Sequence, residues 1–280
     1  LDLSSAASDV YKRQGGNGLE TTQLSNFTAT SDNSGAKELW RGPWAGISRT
    51  NWILTNIDKS PKISDAKKTQ YKGEAHFLRG LYYFNLVRLF GDVPWIDKQQ
   101  TASDDLQVSR TSKDIVYQHI IDDFSDAASM LPAVYENTTD IGRATKGAAF
   151  GLLAKVYLTL KRYNETLVAI DSVTNLGVYS LNRKYEWNFS DLRKNGPESL
   201  FEVQYEKDVT AYSEFDILGQ GGWHHEYMAP LASINIGGPW GNFGWFAVYP
   251  EFVESYEPGD LRKSVSVWCE GDVYQGWSYD

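Results

Sequence analysis

Residues 142–181 read GRATKGAAFGLLAKVYLTLKRYNETLVAIDSVTNLGVYSL, and the spacing of small and large side chains in this stretch decides the fold. Ala144, Gly147, Ala148 and Gly151 alternate with Leu152, Val156 and Leu160 at helical intervals. A turn at Lys161 to Tyr163 follows, and a second helical pattern runs on through Leu167, Ile170 and Val173. Small side chains let helix axes approach closely, so the stretch is predicted as an antiparallel helical hairpin.

The text on its N-terminal side is helical as well. Ser112 can cap SKDIVYQHIIDDFSDAASML, with Ile115, His119, Ile120, Ile121, Phe124, Ala127, Ala128 and Leu131 facing inward until Pro132 stops it. Before that, Asp65 to Phe90 places Tyr71, Ala75, Leu78, Tyr82 and Leu89 on one stripe and Phe77, Leu81 and Phe84 on a second. Ser64 or Asp65 is its predicted N-cap, and Gly91 with Val93-Pro94 its stop. Earlier still, Glu38 to Asp58 sets Trp40, Trp44, Ile47, Asn51, Leu54 and Ile57 three and four apart; its tryptophans, Trp52 included, read as core. The length, small-residue first helix and aromatic turn of the hairpin look like a tetratricopeptide-type unit, with no strict repeat elsewhere. Beyond Pro197 the character changes. ESLFEVQYE (198–206) alternates as a short strand does, and 207–249 carries glycine and aromatics without period. FVESYEPGDLRKSVSV then reads as a short helix, a Pro-Gly turn and the start of another element.

Composition excludes several classes. With 41% hydrophobic residues in 280, the chain buries a sizeable core. Its apolar runs fall well short of the roughly 20 residues a membrane-crossing helix needs. A net charge of -9 leaves no cationic surface for phosphates, so nucleic acid is not an expected partner. One cysteine, Cys269, rules out an internal disulfide and a cysteine-based zinc site. The first fourteen residues, LDLSSAASDVYKRQ, lack periodicity and a signal-peptide pattern and read as a non-native scar.

Five segments carry a family resemblance. EAHFLRGLYYFNLVRLFGDVPW (74–95), DIVYQHIIDDFSDAASMLP (114–132), GRATKGAAFGLLAKVYLTLKRYNETL (142–167), ESLFEVQYE (198–206) and EFVESYEPGDLRKSVSV (251–267) resemble, in order, the signature blocks of the SusD/RagB-like family. These are glycan-binding nutrient-uptake lipoproteins on the Gram-negative outer membrane; the first block is the specific one. The resemblance implies a mainly α fold, an α-α superhelix of tetratricopeptide-like hairpins with long irregular aromatic and glycine-rich loops and a few short strands. It implies a glycan ligand, a SusC-like TonB-dependent transporter as partner, and attachment to the outer membrane through an N-terminal lipidated cysteine that this chain lacks. On this reading residues 15–280 are one SusD-like domain truncated at both ends, with a helical scaffold over about 38–176 and a loop-rich ligand region over about 177–250.

The binding chemistry is expected in that region. Sugar rings offer flat C–H faces edged by hydroxyls, which aromatic rings and planar amides grip. Residues 219–245, GQGGWHHEYMAPLASINIGGPWGNFGW, set Trp223, Trp240 and Trp245 among seven glycines, with Gln220, Asn235 and Asn242 between them and Tyr212 just before. The alternative is that these rings are ordinary loop core. A second expected contact lies in NFTATSDNSGAKELW (26–40), where the corresponding family loop borders the glycan site and Asp32 and Asn33 supply polar groups. His224-His225-Glu226 lacks metal-ligand spacing, since neighbours on an extended chain face opposite ways; no metal and no cofactor are expected. No G-x-S-x-G elbow occurs. Asp122-Asp123 and Asp104-Asp105 read as solvated charge, and His76 and His119 as satisfied helix residues. A non-enzymatic glycan binder is the leading reading. The alternatives are a helical glycoside hydrolase, for which Asp216 and Glu226 would be the carboxylates, and a tetratricopeptide-like peptide-binding scaffold.

Overall fold

The computed structural model describes residues 11–12, 22–24, 26–104, 107–204, 247–267, 269, 273–274 and 277–278. Two compact units are present: Glu38–Arg183 with Trp187–Val203, and Leu1–Lys37 with Lys184–Glu186 and Gln204–Asp280.

The first unit is the helical scaffold. Its elements are α1 (Ser34–Asn56, of which Glu38 onward belongs here), a 3-10 turn at Ile57–Lys59, α2 (Asp65–Phe90), α3 (Lys113–Met130), α4 (Lys146–Thr159) and α5 (Tyr163–Thr174). From α2 onward each helix packs on the next, so the stack propagates hairpin by hairpin. α2 starts where predicted because the Ser64 hydroxyl accepts from the Lys67 amide, and it ends at Gly91, whose amide bonds the Val87 carbonyl. α3 starts at the predicted place by another means. Ser112 makes no side-chain cap; the Asp92 carboxylate accepts the Lys113 amide at 2.8 Å instead. α1 runs through Pro43, which forfeits one intrahelical hydrogen bond.

The predicted stripes of α2 largely face the core: Ala75, Phe77 and Phe84 are buried and Leu78, Leu81 and Tyr82 pack against it, but the buried face also takes in residues the pattern left out. Gly73, Ala75, Phe77, Arg79, Gly80, Tyr83, Phe84, Leu86 and Val87 are buried, whereas Leu89 is exposed. On α3 the inward set is Val116, Tyr117, Ile120, Ile121, Asp123, Phe124, Ala127 and Ala128, and Ile115 is exposed. Phe77, Phe84, Phe124 and Tyr83 lose essentially all contact with water, each removal worth about 1.5–3 kcal/mol. Trp40 and Trp44 pack against this core as expected, but Trp52 is 56% exposed and is no core residue. Leu167 and Ile170 are exposed, and α5 buries only Thr166 and Ala169.

The predicted hairpin of α4 and α5 forms, but the two glycines of α4 face another neighbour. A Cβ on Gly147 would lie 2.2 Å from the Tyr179 ring, and one on Gly151 would lie 2.6 Å from Leu200. The smooth face therefore receives the chain that returns after α5. The expected strand at 198–206 is absent from its described part, residues 198–204. Phe201 instead packs its ring on Phe77 at 4.9 Å, so these residues are apolar because they close the core, not because they pair.

The second unit carries short elements among its described residues. β1 (Tyr11–Lys12) pairs antiparallel with β2 (Ala247–Val248), and β3 (Val273–Tyr274) with β4 (Trp277–Ser278). Between them lie α6 (Pro250–Glu254), which opens on proline where the missing N–H costs nothing, and α7 (Lys263–Ser266). The predicted Pro-Gly turn is present. The Asp260 amide bonds the Glu257 carbonyl at 3.0 Å, with Pro258 and then Gly259 (φ 87°) between, the arrangement of a type II turn.

Candidate functional site

One loop of the scaffold is held by buried charge. Asn51 donates to the Ile96 carbonyl at 2.7 Å, the Tyr83 hydroxyl accepts the Ile96 amide at 2.7 Å, and Arg79 Nη1 donates to the Asp97 carbonyl at 3.0 Å. Backbone groups that would otherwise be stranded are thereby paired. Arg79 is in turn clamped by Asp123, Nε to Oδ2 at 2.9 Å and Nη2 to Oδ1 at 2.7 Å, and His76 Nδ1 lies 2.7 Å from the same carboxylate. Burial works against the charge on Arg79, yet the hydrogen bond and field of Asp123 hold its pKa above the ordinary value. Burial likewise pushes the Tyr83 phenol up. Asp123, with 2% exposure, is thus not the solvated helix charge its sequence position suggested. Trp95 sits between Tyr83 (ring centroids 4.2 Å apart) and His119, on which it stacks at 4.4 Å and 13°.

Of the predicted ligand residues, Tyr212, Trp223, Trp240, Asn242 and Trp245 lie outside the described residues, as do His224, His225 and Glu226. Asp32 and Asn33 are described and differ. Asn33 is 2% exposed: its Oδ1 accepts the Ala36 amide at 3.0 Å, capping α1, and its Nδ2 donates to Gln23 at 3.0 Å. Asp32 is exposed and accepts from Ser31 at 3.1 Å. Among the described residues no group of three or more His, Cys, Asp or Glu is placed to hold a metal ion, and no helix is long and apolar enough to cross a membrane.

Among the described residues, a cleft opens in each unit. In the helical unit, a cavity of about 230 Å³ is walled by Val134, Ile141, Val178 and Phe201, with Tyr135 and Arg143 at its edge. Its polar groups are engaged: the Tyr135 hydroxyl donates to the Ala144 carbonyl at 2.9 Å, and Arg143 pairs with Glu74 and Asp140, each at 2.8 Å. In the second unit, a cleft of about 370 Å³ is lined by Tyr185, Phe252, Tyr256, Glu257, Asp260 and Arg262. The type II turn contributes Glu257 and Asp260 to its lining. Asp260 and Arg262 form a planar pair, with Nε at 2.9 Å from Oδ1 and Nη2 bonded to Oδ2. That hydrogen bond, with the Arg262 amide, lowers the Asp260 carboxyl to about 2. None of these residues was a sequence candidate. The signal was there in Tyr256-Glu-Pro-Gly-Asp260-Leu-Arg262, a turn that places an aromatic and an acid–base pair around itself.

A family model described as SusD-like, starch-binding and associating with the outer membrane matches residues 2–158. The chain belongs to the SusD-like family. A SusD-like protein, P2, from Formosa agariphila is 27% identical over 257 residues, covering 88% of this chain and 48% of the relative. A SusD-like protein of Bacteroides ovatus is 27% identical over 270 residues, 90% of this chain and 46% of that one. The solved structure of a laminarin-binding SusD-like protein superposes with a TM-score of 0.78 at 26% identity, covering 90% of this chain and 57% of the other. The chain spans about half the length of the curated relatives it matches. Its stacked helices are therefore the SusD-like helical scaffold. The matched stretch takes in residues 2–14, read above as non-native, and ends within α4, so neither the predicted tryptophan loop nor the second-unit cleft falls inside it.

Proposed function

We propose that this SusD-like chain is part of a cell-surface glycan receptor that captures oligosaccharide without cleaving it and passes it to a SusC-like TonB-dependent transporter, the protein being held at the outer membrane by an N-terminal lipid. The observation that carries the reading is the family match over residues 2–158, whose description is starch-binding and outer-membrane-associated. The structural likeness to a laminarin-binding relative agrees with it. Glycan contacts are assigned to Trp223, Trp240, Trp245, Tyr212 and Asn242, with the exposed Asp32 beside them in role; Asn33 contributes by capping α1. Rings that stack on sugar faces and amides that meet hydroxyls bury little of a ligand, so affinity is on the order of micromolar to millimolar, which suits capture and release.

The test is affinity electrophoresis of the purified chain through gels containing starch or laminarin, with a reducing-end assay on the same mixtures. Retardation without new reducing ends supports capture. New reducing ends overturn the non-enzymatic reading and direct attention to Asp216 and Glu226. For the transporter, co-purification with its SusC-like neighbour from outer membranes is expected, and its failure in membranes that retain both proteins refutes the hand-over.

A further inference from the structure

We propose that the cleft of Tyr185, Phe252, Tyr256, Glu257, Asp260 and Arg262 is a further saccharide-contact site, built for neutral sugars and against sulfated or uronate ones. This rests on the glycan-binding reading above and names residues and a ligand class that reading does not.

Four observations converge on it. The first is size: at about 370 Å³ the cleft falls in the range that small-molecule sites occupy, roughly 300–1,000 Å³. The second is the type of wall. Tyr185 is 42% exposed, and the Tyr256 ring is held edge-on by Phe252, with centroids 5.5 Å apart at 79°. Rings fixed in this way lose little freedom when a sugar face settles on them. The third is the polar equipment. The Asp260–Arg262 pair uses the Nε and Nη2 edge of the guanidinium, which leaves the Nη1 edge to donate and the outer carboxylate lone pairs to accept. Neighbouring hydroxyls on a sugar ring need one group of each kind. The turn that presents the pair is rigid: Pro258 fixes one backbone angle, Gly259 takes the left-handed one, and the Asp260 carboxylate accepts the Arg262 amide at 2.9 Å.

The fourth observation is charge, and it sets the ligand class. The lining carries two carboxylates, Glu257 and Asp260, against one guanidinium that is already paired. The chain as a whole is at -9. An anionic sugar entering here meets net negative charge nearby and at long range, and Arg262 has no surplus charge to offer it. A neutral sugar meets only dipoles and ring faces.

The experiment uses the intact chain in affinity gels of neutral laminarin and soluble starch, paired with carboxymethylated and sulfated laminarin. Tyr185→Ala and Tyr256→Ala are each expected to weaken retention on the neutral gel by about three- to tenfold. Tyr256→Phe, which keeps the ring, retains binding, and far-UV circular dichroism confirms that the variants are folded. The wild type prefers the neutral gels, and Glu257→Gln, which keeps shape and removes charge, narrows that preference. Should the wild type bind and Trp245→Ala weaken it while both Tyr→Ala variants bind normally, the cleft is not a contact site and the glycan-binding reading stands. Equal or stronger binding to the anionic gels overturns the ligand class. If no polysaccharide retards the wild type, the glycan-binding reading fails and this inference with it.

Discussion

Replacing Asp123 with Ala tests whether buried charge organises the scaffold. The substitution removes both bonds to Arg79, at 2.9 and 2.7 Å, and the contact with His76 at 2.7 Å. Arg79, 7% exposed, keeps only its Nη1 contacts, to Asn51 Oδ1 and the Asp97 carbonyl, both at 3.0 Å. Its charge is then buried without a counter-ion, and stranding one partner of a buried pair costs about 3–5 kcal/mol. With a urea slope near 3 kcal/mol per molar, the unfolding midpoint falls by about 1 to 1.7 M. Circular dichroism at a helical wavelength reports this directly, because α2 to α5 unfold with the pair. The double variant Arg79→Met with Asp123→Leu leaves no charge behind. It should lose less, about 1–3 kcal/mol, for the Asn51 and Asp97 groups left unmatched. A single-variant loss under about 1 kcal/mol, or a double variant worse than the single, would falsify the account, since either means that Arg79 is solvated or satisfied some other way.

Three further outcomes are expected. Trp245→Ala weakens glycan retention while leaving the thermal midpoint nearly unchanged; a large fall in midpoint with intact binding assigns that ring to packing instead. Asp260 titrates near pH 2, against an ordinary value of 3.8, because its hydrogen bonds to Arg262 favour the charged form. A folded-state pKa lowered in this way stabilises the turn above pH 3.8 and ceases to do so as pH falls toward 2; a carboxyl carbon titration by NMR with a midpoint near 4 contradicts it. Gly147→Ala places a Cβ 2.2 Å from the Tyr179 ring and strains or breaks the 2.8 Å bond between the Tyr179 and Thr145 hydroxyls, at a cost of about 1–3 kcal/mol. Tyr179→Ala in the same chain should recover part of that loss, and strict additivity of the two changes argues that they do not touch.

The helices were legible because their ends are written in single residues. Ser64, Gly91 and Pro132 each act within one turn, and the structure starts or stops α2 and α3 around them. The faces were less legible. On α2 the glycines Gly73 and Gly80 are buried beside the large rings, and an arginine turns inward because Asp123 waits on another helix, 44 residues away. Period-2 alternation at 198–204 signalled a strand, but alternation records which side is apolar and says nothing about a partner strand; Phe201 found Phe77 instead. Asn33 was chosen as a ligand contact for its polarity, and that same polarity makes it a cap. The turn side of the cleft, Phe252 to Arg262, is local in sequence and was readable there, but Tyr185, 77 residues before Arg262, joins it only through the fold.

Charge explains why aromatic residues rather than ions carry the binding chemistry proposed for this chain. A neutral polysaccharide feels no long-range field, so the net charge of -9 neither steers it in nor holds it. The binding energy must then come from contact alone, from ring faces and from hydroxyl pairing. The chain has 10 Trp, 17 Tyr and 12 Phe, and among the described residues some of these rings are buried and others exposed. Phe77, Tyr83, Phe84 and Phe124 are the fully interior ones among the described residues, while Trp52, Tyr163, Tyr185 and Phe189 remain exposed. Exposed rings raise the risk of self-association, and the same negative charge counters that risk by repelling like copies. The two features are therefore compatible: a net charge of -9 keeps copies apart without opposing a ligand that carries no charge.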